Sequence, residues 1–348
     1  MYKPAVPVYF YIPSPELVRS APDAIGDYWG WIDKAINEAP VVRPRDQRLT
    51  TWAGPYNWTI QTCLYLKAFG FDCALTASLP DKGIILGHSD FLPNSFKPSF
   101  QQFIVEIKPD RILGCAYANF VIVQNKHDPL RRGIGRLLIN SAFVNYWPQP
   151  DLRPRDESRG DRFENICFMG NPEQFLKSPE QLALELSKLG LNWEMIPRKR
   201  WHDYSSVDAV VAVRAPQGSN KGPHYSSNRK PATKLYNSWL AGVPAILSPE
   251  MAYQELRKTD LDFLEARDIP EILRAIKRLI REPQLRRSMA ENGRIRGQEF
   301  SPVNIVEEWI GVLKDEIFPR YLRWSRSLHR RTGFYLVRNY AHKRDLLK

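Results

Sequence analysis

The stretch from Asn228 to Glu255, NRKPATKLYNSWLAGVPAILSPEMAYQE, decides how the chain is read. Pro231 suits a first helical turn, where a missing N–H costs nothing. Leu235, Trp239 and Leu240 then recur at helical spacing, which predicts a helix with one apolar face. Gly242 ends it with a permissive backbone, and Val243 to Leu247 is an apolar run of strand length. Ser248, Pro249 and Glu250 follow as cap, proline and acid, which predicts a second helix start. At the front, Arg229, Lys230, Thr233 and Lys234 gather basic and hydroxyl groups where free helix N–H groups already favour an anion. A nucleotide diphosphate is an anion of the right kind.

Outward from this stretch, apolar runs alternate with helical ones. On the amino-terminal side come a strand at 165–169, a helix at 178–189 closed by Gly190, and strands at 192–196 and 209–213. The loop 215–229, with Gly218, Gly222 and Pro223, joins the last strand to the basic helix start. That is the carboxyl end of a strand, where open α/β sheets bind ligands. On the other side Asp268 caps a helix whose Ile269, Ile272, Leu273, Ile276, Leu279 and Ile280 form one stripe, closed by Pro283. The first 150 residues repeat the alternation. Strands are expected at 8–12, 72–76 and 83–88, with helices at 28–36 and 58–69, and further short apolar runs at 111–114 and 120–125. Such alternation implies mostly parallel sheets covered on both faces. Residues 148–162, PQPDLRPRDESRGDR, are nearly devoid of apolar side chains and hold three prolines, so the domain boundary is expected there.

A chain of 348 residues, 43% hydrophobic and 25% charged, fits a globular enzyme of two domains. It holds no apolar run of about 18 residues, and its start is a poor secretory signal, so a cytoplasmic location is expected. Cys63, Cys73, Cys115 and Cys167 lack paired metal spacing and read as reduced core residues lying far apart. From Arg320 to Lys348 there are nine Lys or Arg against one Asp, a net +8 of the chain's +12. An anionic membrane surface and nucleic acid are both partners such a tail could meet, and a solvated helix is the plain alternative. Tyr321, Trp324, Phe334 and Tyr335 are interleaved with those charges, as base-stacking would need.

Several chemistries lack their residues. There is no phosphate-binding G-x-x-x-x-G-K-[ST] and no G-x-S-x-G nucleophile turn. Gly133-Ile134-Gly135 lacks the third glycine of a dinucleotide fingerprint and reads as a turn. Asp260-Leu261-Asp262 reads as a polar turn, since no further oxygens converge there for a hard cation. What remains is the phosphate-holding cluster. Arg214 closes an apolar strand, Lys221, Lys230 and Lys234 add charge, and Thr233 adds a hydroxyl. Fixed cations and a helix start would stabilise a departing nucleoside diphosphate without metal.

KPATKLYNSWLAGVPAILSPE, preceded by DAVVAVR, resembles the nucleotide-sugar-binding half of glycosyltransferases of the GT-B fold. FENICFMGN resembles the first strand of that half, and RSMAENGRIRGQEFSPVNIVEEWIGVL its closing helices. WAGPYNWTIQTCLYLKAFGFDCALT resembles the Gly-rich turn, long helix and second strand of the family's first domain, placing Gly54 and Trp58 on the acceptor side. The resemblance implies an α/β protein of two Rossmann-like domains facing across a cleft. Residues 1–150 would form the acceptor domain, residues 160–319 the donor domain, and a last helix, 320–348, would cross back onto the first. It implies a glycosyltransferase moving a sugar from a nucleotide-diphosphate donor to a glycan, lipid-linked or small-molecule acceptor, with no cofactor and no obligatory metal.

The family's glutamate pair, eight residues apart, is replaced here by Arg229 and Asn237, and the Arg that often follows the first strand of the second domain by Asn171. Arg214 with Lys234 is then expected to hold the diphosphate, while Asn237 is left to hydrogen-bond a ribose hydroxyl. Lys230, Thr233, Asn171 and Tyr253 complete the expected donor set, and Glu250 and Glu255 either contact the donor sugar or cap the helix. On the acceptor side His88 at a strand end is a candidate base or sugar contact, with Asp90 its partner. The basic tail would bring the protein to the inner membrane surface as a peripheral partner. Two alternatives belong to other classes: a nucleic-acid-binding protein using the tail, and a sugar-nucleotide-binding α/β protein without catalysis.

Overall fold

The computed structural model describes residues 6–38, 40–43, 47–50, 53–93, 96–111, 114–115, 117–128, 140–172, 175–176, 178–214 and 229–345, with 337–345 as backbone alone. Lys221, the glycines of the 215–228 loop and the Gly133–Gly135 turn lie outside the described residues. The chain divides into two compact units, Met1–Asn145 with Ile305–Lys348, and Tyr146–Asn304.

The first unit is built on a parallel sheet of six strands: β1 (Val8–Tyr11), β4 (Ala74–Thr76), β5 (Gly83–His88), β6 (Gln102–Lys108), β7 (Phe120–Val123) and β8 (Ser141–Phe143). Their spatial order is β4-β1-β5-β6-β7-β8, while β2 (Val41–Val42) and β3 (Leu49–Thr50) form a separate antiparallel pair. The order reverses between β1 and β5, so the carboxyl end of β5, at His88, lies at a switch point of the sheet. β6 contains a Glu and a Lys yet every one of its residues is buried. Glu106 accepts from Ser89 Oγ and the Cys115 N–H, both at 2.7 Å, and Lys108 Nζ lies 2.8 Å from Asp128. Buried charges persist only when so paired.

The last helices complete this unit's core. Trp309 is fully buried, edge-on to Phe10 at 6.3 Å and to Trp58 at 6.1 Å. Phe318 stacks on Phe71 at 6.2 Å, and Tyr321 and Trp324 both meet Phe103 edge-on. The return to the first unit therefore begins at Ile305, ahead of the basic run that suggested residue 320. Cys63 and Cys73, expected to lie far apart, have sulfurs 3.6 Å apart inside the same core. The first turn of the Thr62–Ala68 helix and the segment leading into β4 meet there.

The second unit holds a parallel sheet of β9 (Asn165–Met169), β10 (Asn192–Ile196), β11 (Ala209–Ala212), β12 (Ala245–Leu247) and β13 (Leu264–Glu265) in the order β10-β9-β11-β12-β13. This is a doubly wound arrangement with its switch point between β9 and β11. The stretch 148–162, expected as the domain boundary, follows just after the division at Asn145 and packs on this unit. Arg153 trades backbone hydrogen bonds with His202 and Tyr204, and Arg155 and Arg159 both donate to Asp208, which is 2% exposed. Arginines need not stay in water when a buried carboxylate collects them.

Two helix starts differ by a few residues from expectation. The helix after the basic run is Thr233–Ala241, with Gly242 at φ 67° closing it. The next is Met251–Leu256 with Glu250 as its cap position, because Ser248 spends its hydroxyl on the Glu250 carboxylate rather than on the helix. Among the described residues no helix is long and apolar enough to cross a membrane.

Candidate functional site

In the second unit the switch point gathers two of the expected residues, Arg214 and Lys234. β9 ends at Met169 and is followed by Gly170, and β11 is followed two residues on by Arg214. Lys234 reaches the same edge from the first turn of the Thr233–Ala241 helix, its ammonium 5.6 Å from the centre of the Phe168 ring. A Cβ at Gly170 would stand 2.6 Å from Phe168 Cζ, 2.9 Å from Lys234 Cε and 3.2 Å from Lys234 Nζ. Only a glycine lets the lysine lie across the strand end.

Burial pulls the Lys234 ammonium down to about 7, with Arg214 and Lys230 adding repulsion that Glu250 only partly offsets. The helix start beside it has no side-chain cap, and a helix start is where backbone N–H groups can receive an anion. Two nearby cations and an uncapped helix start make this edge electropositive and in want of an anion.

Arg214 is anchored, which fixes its geometry. Its Nε lies 2.9 Å from Glu250 Oε1, the oxygen that also accepts from Ser248 Oγ at 2.9 Å. Arg214 donates as well to the Tyr253 hydroxyl, whose own ionisation is pushed up by burial and then by the Glu250 charge. Glu250 is 6% exposed, and its second oxygen, Oε2, has no hydrogen-bond partner among the described residues. A buried carboxylate oxygen left open costs free energy unless a ligand hydroxyl or amide meets it. Glu250 therefore does more than stand at a helix start.

Other expected donor residues stand as follows. Lys230 is half-buried and acts on Lys234 through its charge, and Asn171 is half-buried just past Gly170. Thr233 is half-buried at the helix start, 3.4 Å from the Tyr236 hydroxyl, which gives its proton to the Tyr146 carbonyl at 2.7 Å. Asn237 is not brought to this edge's open groups. It is 6% exposed, its Oδ1 accepts the Gln149 N–H at 3.0 Å, and its side chain also bonds Tyr204. The neutral amide serves as an internal brace for the strand-free segment after Tyr146. Glu255 is exposed on the far turn of its helix.

In the first unit, His88 ends β5 but is 1% exposed. Its Nδ1 accepts the Asp90 backbone N–H at 3.0 Å, so in the neutral ring the proton sits on Nε2. That arrangement presents a donor at Nε2, which suits a sugar contact better than a base. Its expected partner is otherwise engaged. The Asp90 carboxylate stands 3.8 Å from the ring and is gripped by Nε and Nη2 of Arg111, with Arg43 at 3.7 Å. Burial alone would raise the Asp90 carboxyl, but Arg111, His88 and Arg43 outweigh it and hold it below the usual range. Trp58, expected against an acceptor, is 1% exposed in the core against Trp309. Gly54 opens a helix, and a Cβ there would meet nothing within 4 Å.

Gly170 was not singled out from the sequence, Ser248 was read only as a helix cap, and the Arg111 clamp on Asp90 was missed. Gly170 alone had a signal: a glycine directly after the strand NICFM, where a backbone must let another group close. No group of His, Cys, Asp or Glu among the described residues is placed to hold a metal ion, and Asp262 instead takes the Lys258 and Thr259 N–H groups and Arg296.

Residues 173–311 match the family model described as glycosyl transferase-like. The matched span takes in Arg214, Lys234 and Glu250. A search of curated proteins returned no match. Among solved structures, a sucrose-phosphate synthase from Thermosynechococcus elongatus superposes with a TM-score of 0.54 at 13% identity, covering 90% of this chain and 99% of that one. HepE from Anabaena, solved in complex with UDP and glucose, gives 0.50 at 13% identity over 88% and 99%. At such identities the likeness is one of fold. It agrees with the two Rossmann-like units expected of a GT-B protein.

Proposed function

We propose that this chain, whose residues 173–311 are of the glycosyl transferase-like family, transfers a sugar from a nucleotide-diphosphate donor to an acceptor hydroxyl. The observation that carries the reading is Lys234 laid over Gly170 at the switch point of the second sheet, beside Arg214 and an uncapped helix start. As the bond from the anomeric carbon to the phosphate oxygen breaks, its electron pair stays on the diphosphate. Arg214, Lys234 and Lys230 with the helix N–H groups supply fixed positive charge where that negative charge grows. Protein cations in that place are the basis for reading the enzyme as metal-independent and free of any further cofactor.

Glu250 is assigned to a donor hydroxyl through Oε2, and Arg214 and Ser248 hold it in position. Asn171 and Thr233 stay in the donor set, whereas Asn237, Asp90 and Trp58 are assigned structural roles. The acceptor in this reading is a glycan, a lipid-linked molecule or a small molecule. The basic end of the chain would keep a protein acting on a lipid-linked acceptor against a membrane on its cytoplasmic side.

Calorimetry with a panel of nucleoside diphosphates tests this, with UDP as the first probe because HepE is described with it. One of the panel should bind, and Lys234→Ala should weaken it by about 1.5–3 kcal/mol, roughly ten- to a hundredfold in affinity. Absence of binding across the panel at millimolar concentration, or an unchanged affinity in the variant, would remove the reading.

A further inference from the structure

The carboxyl-terminal helices turn their aromatic side chains inward and their leucines outward. Tyr321 and Trp324 of the Phe318–Ser325 helix pack on Phe103 at 5.8 and 5.5 Å, and Tyr335 of the Leu328–Asp345 helix stacks on Phe100 at 4.9 Å. Leu322, Leu328 and Leu336 are left 38%, 65% and 63% exposed. Leu328, Thr332 and Leu336 are four residues apart, hence one above the other on one helix face, and all three are exposed. Arg323, Arg326 and Arg330 are exposed on the same two helices and the turn between them, and from Phe318 to Leu336 the sequence holds no Asp or Glu.

Exposed leucines scattered over a surface are ordinary. Leucines interleaved with uncompensated arginines are a different case, because the two side-chain types are satisfied together at one kind of surface: an anionic lipid bilayer, where the arginines meet headgroups and the leucines enter the acyl boundary. A single-stranded nucleic acid would satisfy the arginines only. Bases need aromatic platforms, and Tyr321 and Trp324 are already packed edge-on against Phe103 and Tyr335 is stacked on Phe100. We infer that the paired helices around Ser327, through Leu322, Leu328, Leu336, Arg323, Arg326 and Arg330, form a peripheral docking face for an anionic membrane surface. The inference extends the proposed sugar transfer by naming where a lipid-linked acceptor would be met, but it stands or falls on its own measurements.

The test uses the full chain, sedimented with vesicles of phosphatidylcholine alone and with vesicles containing phosphatidylglycerol. Binding should require phosphatidylglycerol and weaken with added salt. Arg323→Gln/Arg326→Gln/Arg330→Gln should reduce it on the order of a hundredfold, since each surface cation contributes about a fivefold factor. Leu328→Ser/Leu336→Ser carries no charge change and should also reduce vesicle binding, while leaving binding to a single-stranded oligonucleotide unaltered. Equal binding to both vesicle types, or to neither, overturns the inference. So does an oligonucleotide that displaces the vesicles while the serine variant binds them as well as the parent chain. Both variants should keep the parent's affinity for nucleoside diphosphate by calorimetry, which reports on the second unit and separates loss of docking from failure of the sugar-transfer reading.

Discussion

Lys234 is the residue whose chemistry is most open to measurement. In the free protein burial and the neighbouring Arg214 and Lys230 depress its ammonium to about 7, with Glu250 opposing them. A bound diphosphate would raise it again, so binding above pH 7 takes up a proton. The sign follows from linkage: affinity for a nucleotide-sugar is fully developed below pH 7 and falls as the pH rises above it, by up to about tenfold per unit. A nucleotide-sugar is the right probe because its diphosphate diester keeps constant charge over that range. Titration calorimetry between neutral and mildly alkaline pH should show the decline, and Lys234→Arg should flatten it. An affinity that is level across the range in the parent chain would contradict the placement of this lysine.

Gly170 offers a second test at the same scale. Gly170→Ala drives a methyl into Phe168 and the Lys234 stem, at a cost of about 1–3 kcal/mol in stability. It should also displace the ammonium, so nucleotide affinity falls further than the loss in thermal midpoint would suggest. An alanine variant that binds as well as the parent would mean that the lysine does not need this seat. At this scale the cations of the site were legible in the sequence, because Arg214 follows an apolar strand and Lys230 and Lys234 begin a helix. The groups that position them were not. Which carboxylate Arg214 meets, and which strand end Lys234 lies over, depend on neighbours 36 and 64 residues away in the chain.

Among the elements, the strands read well where their side chains agree with their burial. β5 and β9 begin and end at the residues their apolar runs suggest, and Gly242 ends its helix in the left-handed region that glycine tolerates. β6 escaped notice because Glu106 and Lys108 interrupt an apolar pattern, and nothing local reveals that Ser89, Cys115 and Asp128 will satisfy them. The segment 148–162 was read as the domain boundary, and its packing on the second unit escaped notice for the same reason. Its arginines signal solvent, but two of them converge on Asp208, which also takes the Glu164 and Asn165 N–H groups at 2.9 Å.

That clasp carries an element-scale prediction. Burial would raise the Asp208 carboxyl, yet Arg159, the two N–H groups and Arg155 hold it below its ordinary value. A depressed carboxyl contributes stability above its unfolded value, near pH 3.9, and loses it as the pH falls through the folded one. Asp208→Ala should therefore cost about 3–5 kcal/mol near neutral pH by stranding two guanidinium groups. Urea unfolding of parent and variant should show the gap narrow as acid protonates the parent's carboxyl. A gap that stays constant from neutral to acid conditions would show that the charge is not what anchors the segment.

For the whole molecule, two units and their parallel sheets were legible from the alternation of elements, and the glycosyl transferase-like segment from the residues around Lys234. The dependence of the first unit on the end of the chain was legible only in outline. The basic run advertises its charge, while the residues that matter for packing, Trp309, Phe318 and Trp324, look ordinary until their partners Phe10, Phe71 and Phe103 are known. Trp309→Ala should destabilise the first unit by about 3–5 kcal/mol. Hydrogen exchange should then show faster exchange in β1, β5 and β6 with β9 to β13 protected as before, and uniform loosening of both units would argue against their separate cores.

The central claim is that the carboxyl edge of β9 and β11 holds a nucleotide diphosphate. A crystal structure of the chain with a bound nucleoside diphosphate tests this most directly. The β-phosphate oxygens should lie within hydrogen-bond distance of Lys234 Nζ and of the N–H groups that open the Thr233–Ala241 helix, with Arg214 still joined to Glu250. Diphosphate density anywhere else on the chain, with Lys234 still lying over Gly170 and touching no phosphate, would contradict it.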